Sequence, residues 1–220
     1  LSRAGADPCR WARADDLPVW LATQRAPETT FPAAHLTAAE WNFAVGEGVR
    51  LFEKLQGMPV KLSDVADRIS QGIRTSANEV YVLDVQSDRR GPLISAYSEQ
   101  LDRDVMVEAD AVLRFLQGRE IKAYSIQPSG KVVLMPYRLL AKKMTLVSAK
   151  DLRESYPNAW EYLSANRKHL ESREDGRMRH KGWYGFVYPK NLEIMFSPKL
   201  LVPDIADRAA FALDEKGEFA

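Results

Sequence analysis

Residues 71–85, QGIRTSANEVYVLDV, place a glycine first, then the polar run Arg74, Thr75, Ser76 and Asn78, then the apolar Val80-Tyr81-Val82-Leu83. The order predicts a hydrogen-bonding loop that feeds a buried strand over 80–85. Such a loop either crosses between elements or is presented to a partner rich in acceptors. The rest of the chain has to discriminate between the two.

Working outward, the upstream segment 60–62 predicts a short strand, and Ser63 suits an N-cap for a helix to position 69, with Asp64 in the first turn. Before that, Trp41, Ala44, Val45, Val49, Phe52 and Leu55 recur at helical spacing within 38–55. Thr37 and Glu40 have capping-box spacing ahead of them, and Gly57 and Pro59 close the run. Residues 1–33, with prolines at positions 8, 18, 27 and 32, predict an irregular lead-in with short helical pieces. Downstream, 88–92 predicts a turn, 93–98 a strand, 108–115 a helix and 131–136 a buried strand. Ser148 caps a predicted helix or helix pair over 148–172, and 173–182 is a charged loop. Successive strands are expected at 183–187, 192–196, 199–203 and 210–213. The expected fold is therefore α+β: a helical N-terminal part, then a mixed, mainly antiparallel sheet with flanking helices.

The chain has 220 residues, 45% apolar and 28% charged, with net charge +1, as an ordinary soluble globular protein has. No run reaches the ~18 apolar residues of a membrane span, so no membrane partner is expected. The chain starts at Leu1 without a basic-then-apolar leader, which suggests a piece of a longer polypeptide. Cys9 is the single cysteine and cannot form an internal disulfide, in keeping with a cytoplasmic setting. The charge is unevenly placed: 131–199 hold 14 Lys/Arg against 7 Asp/Glu, whereas 1–130 hold 15 against 18. A locally basic segment docks a polyanion through one face, or is merely a solvated surface.

Little in the sequence points to catalysis. The histidines His35, His169 and His180 have no zinc-ligand spacing, and no glycine-rich phosphate cradle with a following lysine is present. Thus no catalytic, cofactor or metal residue is expected. Asp204, Asp214, Glu215 and Lys216 loosely match the acids and lysine of a small metal-dependent nuclease, but Asp214-Glu215-Lys216-Gly217 also reads as a hairpin turn.

What recurs instead is the pairing of donors with aromatics. Arg119 and Lys122 stand beside Tyr124, and Arg173, Arg177, Arg179 and Lys181 lead into Trp183. Arginine reads guanine, and asparagine reads adenine, through two-pronged bonds, while lysine, threonine and serine suit phosphates. Each residue has a plainer alternative. Arg119 can pair with Glu120 or Glu108, Asn78 can set a turn, and Trp183 can belong to the core.

Taken in order, these segments resemble one family, the TaqI-like specificity (target-recognition) domain of adenine-specific DNA methyltransferases and fused Type IIG restriction-modification enzymes. The resemblance is carried by Lys61-Leu62-Ser63-Asp64-Val65, Gly72-Ile73-Arg74-Thr75-Ser76-Ala77-Asn78-Glu79-Val80-Tyr81 and Gly118-Arg119-Glu120-Ile121-Lys122-Ala123-Tyr124. It continues through Val133-Leu134-Met135-Pro136-Tyr137, Tyr156-Pro157-Asn158-Ala159-Trp160-Glu161-Tyr162-Leu163, Leu170, Arg173, Trp183-Tyr184 and Pro198-Lys199-Leu200-Leu201-Val202-Pro203. It implies a double-stranded DNA recognition domain over 58–220, with 1–57 as a lead-in from a methyltransferase domain of the same parent chain. The DNA-contacting set it implies is Arg74, Thr75, Ser76, Asn78, Arg119, Lys122, Tyr124, Arg173, Arg177, Arg179, Lys181 and Trp183. The parent would use S-adenosylmethionine, and Mg if an endonuclease is fused. This chain lacks the Asn/Asp-Pro-Pro-Tyr/Phe motif that holds a flipped adenine. It departs from the family at Ser76, where glycine is usual. Alternative readings are a specificity subunit serving a separate methyltransferase or nuclease chain, a protein-interaction module, and the small nuclease.

Overall fold

A computed structural model describes residues 8–31, 47–141 and 143–220, which divide between two compact units, Leu1–Ile69 and Ser70–Ala220. In the first, β1 (Cys9–Ala12) and β2 (Glu28–Phe31) form an antiparallel pair around α1 (Leu17–Thr23). Asp16 starts α1 by accepting from the amide of Val19 at 3.0 Å, and Pro18 in its first turn sacrifices no helical bond. The lead-in is therefore a small hairpin as well as a helical piece. Helix α2 (Glu47–Gln56) confirms the C-terminal part of the predicted 38–55 helix, whereas Thr37 and Glu40 lie outside the described residues. Helix α3 (Leu62–Val65) replaces the short strand predicted at 60–62. Its N-cap is Lys61, whose amide donates to Asp64 at 2.7 Å, so Ser63 lies inside the turn.

The second unit begins with the 70–77 loop and one helical turn, α4 (Asn78–Tyr81), which runs straight into β3 (Val82–Arg90). Next come β4 (Leu93–Ser98), β5 (Arg103–Glu108), β6 (Val112–Arg114), β7 (Ile121–Lys122), β8 (Ser125–Ile126) and β9 (Lys131–Leu134). Five of these make one sheet in the order β5-β4-β3-β9-β6, every neighbouring pair antiparallel. A hairpin of β10 (Tyr137–Leu140) and β11 (Lys143–Leu146) follows. Three helices then succeed one another: α5 (Ala149–Ser155), α6 (Pro157–Ala165) and α7 (Arg167–Gly176). The chain closes with the pair β12 (Lys199–Leu201) and β13 (Ala212–Asp214). The fold is α+β, as expected. No helix among the described residues is long and apolar enough to cross a membrane.

The core lies between the sheet and the helices. Ile94, Ala96 and Ser98 alternate inward along β4, and Leu83, Val107 and Val133 join Leu152, Ala159, Leu163 and Leu170. Glu108, at the end of β5, caps α6. Its carboxylate accepts from the amides of Asn158 and Ala159, both at 2.9 Å, satisfying donors that the helix start leaves open. The Tyr162 hydroxyl donates to Val80 O at 2.7 Å and shares a bond with the Ser98 hydroxyl at 2.8 Å. Burial pushes this phenol up to about 12.

Further expectations fail in the second unit. The segment 108–115 is strand with a short 3-10 turn rather than helix, because Val112, Leu113 and Arg114 pair with β9. The segment 192–196 is a 3-10 helix, Leu192–Phe196. And 183–187 folds as successive turns, with the amide of Trp183 bonded to His180 O and that of Gly185 to Gly182 O.

Candidate functional site

The polar loop that opened the sequence is built from within. Thr75 is buried, donates to Asn78 Oδ1 at 2.6 Å and accepts from the amide of Ala77 at 3.1 Å. The next residue, Ser76, has φ +58°, a left-handed conformation that favours glycine. The position thus keeps the backbone shape for which glycine is the usual residue. Arg74, Ser76 and Asn78 are exposed on this loop.

Arg173 holds the loop in place. Although it is only 7% exposed, its guanidinium bonds to four carbonyls: Leu170 (2.8 Å), Thr75 (3.1 Å), Trp183 (2.7 Å) and Gly185 (2.9 Å). Tyr81 packs beneath it, 5.6 Å from ring centre to guanidinium, and its hydroxyl donates to Tyr184 O at 2.8 Å. Burial raises the Tyr81 phenol far above its ordinary value, and the neighbouring Arg173 draws it partly back. The two residues lock the 72–78 loop to the 183–185 turn. Arg173, Thr75 and Trp183 are therefore corrections to the expected contact set: all three are buried and spent on the protein's own backbone or core. Trp183 packs in an aromatic cluster, tilted against Trp160 (5.8 Å) and edge-to-face with Tyr184 (5.5 Å).

Beyond the clamp, the chain returns past the loop at Tyr188, Lys190 and Asn191. Together with Gln71, Gly72 and Arg74 these line a cleft of about 210 Å³. Arg74 lies over the Tyr188 ring at 5.4 Å. The cleft thus gathers two cations, two amide side chains and an aromatic, with no carboxylate in its lining. Tyr188, Lys190 and Asn191 were missed by sequence reading, although Tyr-Pro-Lys-Asn repeats the donor-with-aromatic pattern seen at 119–124.

A second, open cleft on the same C-terminal segment is lined by Arg167, Arg179, His180 and Lys181, with Glu171 bonded to Arg167 at 2.8 Å. Arg177 is exposed just upstream. These side chains follow a sharp reversal after Arg173, where Glu174 (φ +50°), Asp175 (+56°) and Gly176 (+82°) are all left-handed. Arg119, Lys122 and Tyr124 are exposed in a different locality, where Arg119 and Lys122 share a cleft with Pro203 and residues 205–210. Arg119 pairs with neither proposed carboxylate. Glu108 caps α6, and Glu120 accepts from the amides of Gln117 (2.5 Å) and Ser129 (2.6 Å).

The acids near the C-terminal end serve the fold. Asp214 is buried and accepts from Lys199 Nζ (2.6 Å) and from the amides of Glu218 (3.0 Å) and Phe219 (3.1 Å). Burial pushes its carboxyl up, but these bonds outweigh burial and hold it below the usual range. Among the described residues no group of three or more His, Cys, Asp or Glu is arranged to hold a metal.

Among curated proteins, the chain is 25% identical over 173 residues to the Type II methyltransferase M.PaeR7I of Pseudomonas aeruginosa, a match covering 76% of this chain and 25% of that protein. It is 34% identical over 160 residues to the Type II methyltransferase M.BanIII of Aneurinibacillus aneurinilyticus, covering 71% and 24%. The chain spans about a quarter of the length of these curated relatives. No protein-family model matches it.

Proposed function

We propose that this chain recognises a short double-stranded DNA sequence for an adenine-specific DNA methyltransferase of a restriction-modification system, either as a domain of the parent enzyme or of a fused Type IIG enzyme. The reading joins two supports: distant similarity to Type II methyltransferases, and a cleft with two cations and no carboxylate, whose two contributing segments are tied together nearby by a buried arginine. The clamp is the observation that carries it. Arg173 holds backbone from two distant segments so that Arg74 and Lys190 line the same acid-free cleft. A polyanion meets fixed donors there without displacing a resident carboxylate. Arg74 and Asn78 are the candidates for reading base edges, and Lys190, Arg177, Arg179 and Lys181 for holding phosphates.

Methyl transfer takes place elsewhere in the parent on this reading, as does binding of S-adenosylmethionine, and of Mg where an endonuclease is fused. Met135-Pro136-Tyr137 offers no pocket for a flipped base. Met135 is buried, and the Tyr137 hydroxyl accepts from the amide of Phe186 at 2.7 Å, inside the fold.

The test is a methylation-site map and duplex-binding isotherm for the full-length protein, at fixed salt, with Arg74→Ala and Asn78→Ala. A lost two-pronged contact weakens discrimination at one base pair by about 1–3 kcal/mol. Wild-type affinity and an unchanged site preference in both variants would refute the reading.

A further inference from the structure

The hairpin of β7 and β8 turns at Ala123 and Tyr124. Tyr124 is 95% exposed and has φ +62°, a left-handed conformation uncommon for a bulky side chain. Its amide donates to Phe211 O at 2.7 Å, joining the hairpin tip to the loop between β12 and β13. That loop carries Ile205, also 95% exposed. The hairpin base is rigid, because buried Glu120 ties the amides of Gln117 and Ser129 together. Two nearly naked apolar side chains are thus displayed on a braced support, one of them in a strained backbone.

The cleft of about 530 Å³ between the two segments is lined by Arg119, Lys122, Pro203, Ile205, Asp207 and Arg208, among others. Arg119 and Lys122 make no ion pair with any described residue, and Asp207 reaches only Arg208, at 3.9 Å. Asp204 lies in the same loop but not in the cleft lining. Three cations beside two apolar tips complement a duplex groove, where phosphates flank the base edges and an apolar side chain can wedge against a base step.

Resting on the reading of this chain as a DNA-recognition domain, we propose that the Tyr124 tip and the Ile205 loop form a second duplex-contacting element. Its two apolar side chains press against bases in a groove while Arg119, Lys122 and Arg208 take the flanking phosphates.

The experiment measures duplex affinity of the full-length protein by fluorescence anisotropy over a salt series. Tyr124→Ala and Ile205→Ser are expected to weaken binding about five-fold or more with the salt slope unchanged, and Tyr124→Phe to retain most of the affinity. Arg119→Ala and Lys122→Ala are expected to lower the salt slope by about one each. All these side chains are exposed, and unchanged thermal unfolding midpoints verify that the variants fold. Wild-type affinity and slope in every variant, alongside weakened binding by Arg74→Ala, would overturn this element and leave the main recognition site standing. Loss of self-association in sedimentation, with DNA binding intact, would overturn it in favour of a protein contact. Absence of duplex binding by the unaltered protein removes both readings.

Discussion

Replacing Arg173 by methionine keeps a long side chain and removes every donor. Burying a cation is costly, and exchanging a whole buried ion pair for apolar groups is often neutral or stabilising. Here the partners are main-chain carbonyls, which no substitution at position 173 removes. The Gly185 carbonyl keeps a share of the Tyr81 hydroxyl at 3.1 Å, but the Thr75 and Trp183 carbonyls have no other described partner. Each buried carbonyl left unpaired costs about 1–3 kcal/mol, so Arg173→Met is expected to lower unfolding free energy by about 3–5 kcal/mol. That is a large share of the roughly 5–15 kcal/mol that holds a domain of this kind. Lysine, with one compact ammonium instead of a planar fork, reaches fewer of the four carbonyls, and Arg173→Lys should restore about half of the loss. Urea unfolding followed by tryptophan fluorescence measures both, since Trp183 and Trp160 lie next to the clamp. A loss below about 1 kcal/mol for Arg173→Met would refute the clamp as the element that joins the two segments.

Two further outcomes are expected. Because its bonds hold the Asp214 carboxyl below the ordinary 3.8, stability from this group is fully present above that pH and is lost as pH falls through the lower folded value. Asp214→Asn should cost about 2–3 kcal/mol at pH 7 and flatten the acid limb of a stability profile taken by urea titration between pH 7 and pH 3. At Gly217 (φ +66°) an added Cβ would stand 2.5 Å from the Phe196 carbonyl carbon, whereas at Gly91 (φ +67°) it would meet open space. Calorimetry should therefore show Gly217→Ala losing about 2 kcal/mol or more and Gly91→Ala only about 1 kcal/mol, because only the first adds a clash to the left-handed strain.

The strand at 93–98 and the helices after Ser148 were legible because alternation and a capping hydroxyl are local signals; the Ser148 oxygen does accept from the amide of Asp151, at 3.1 Å. The segment 108–115 was not, since its apolar positions satisfy both a helical and a two-residue period, and pairing with β9 decides between them. Val80 and Tyr81 have the apolar, β-prone character of a strand start, yet both are fully buried in a helical turn that precedes the strand. At the site, Arg74 and Asn78 are on the surface as their loop chemistry suggested. A charged residue gives no local sign that it will be enclosed by four carbonyls from separate parts of the chain, so Arg173 read as a surface cation. Tyr188, Lys190 and Asn191 lay hidden between two expected strands, neither of which forms.

The clamp grips carbonyl oxygens, and carbonyl oxygens are the same whatever amino acid bears them. Side chains at positions 74, 76 and 190 can be exchanged while the scaffold beneath them stays put; the demands on residue type are the left-handed geometry at 76 and an acceptor at 78 for the buried Thr75 hydroxyl. If the chain reads DNA as proposed, such an arrangement separates the reading side chains from the holding scaffold, and preference for a new target can arise by a few surface substitutions without loss of the fold.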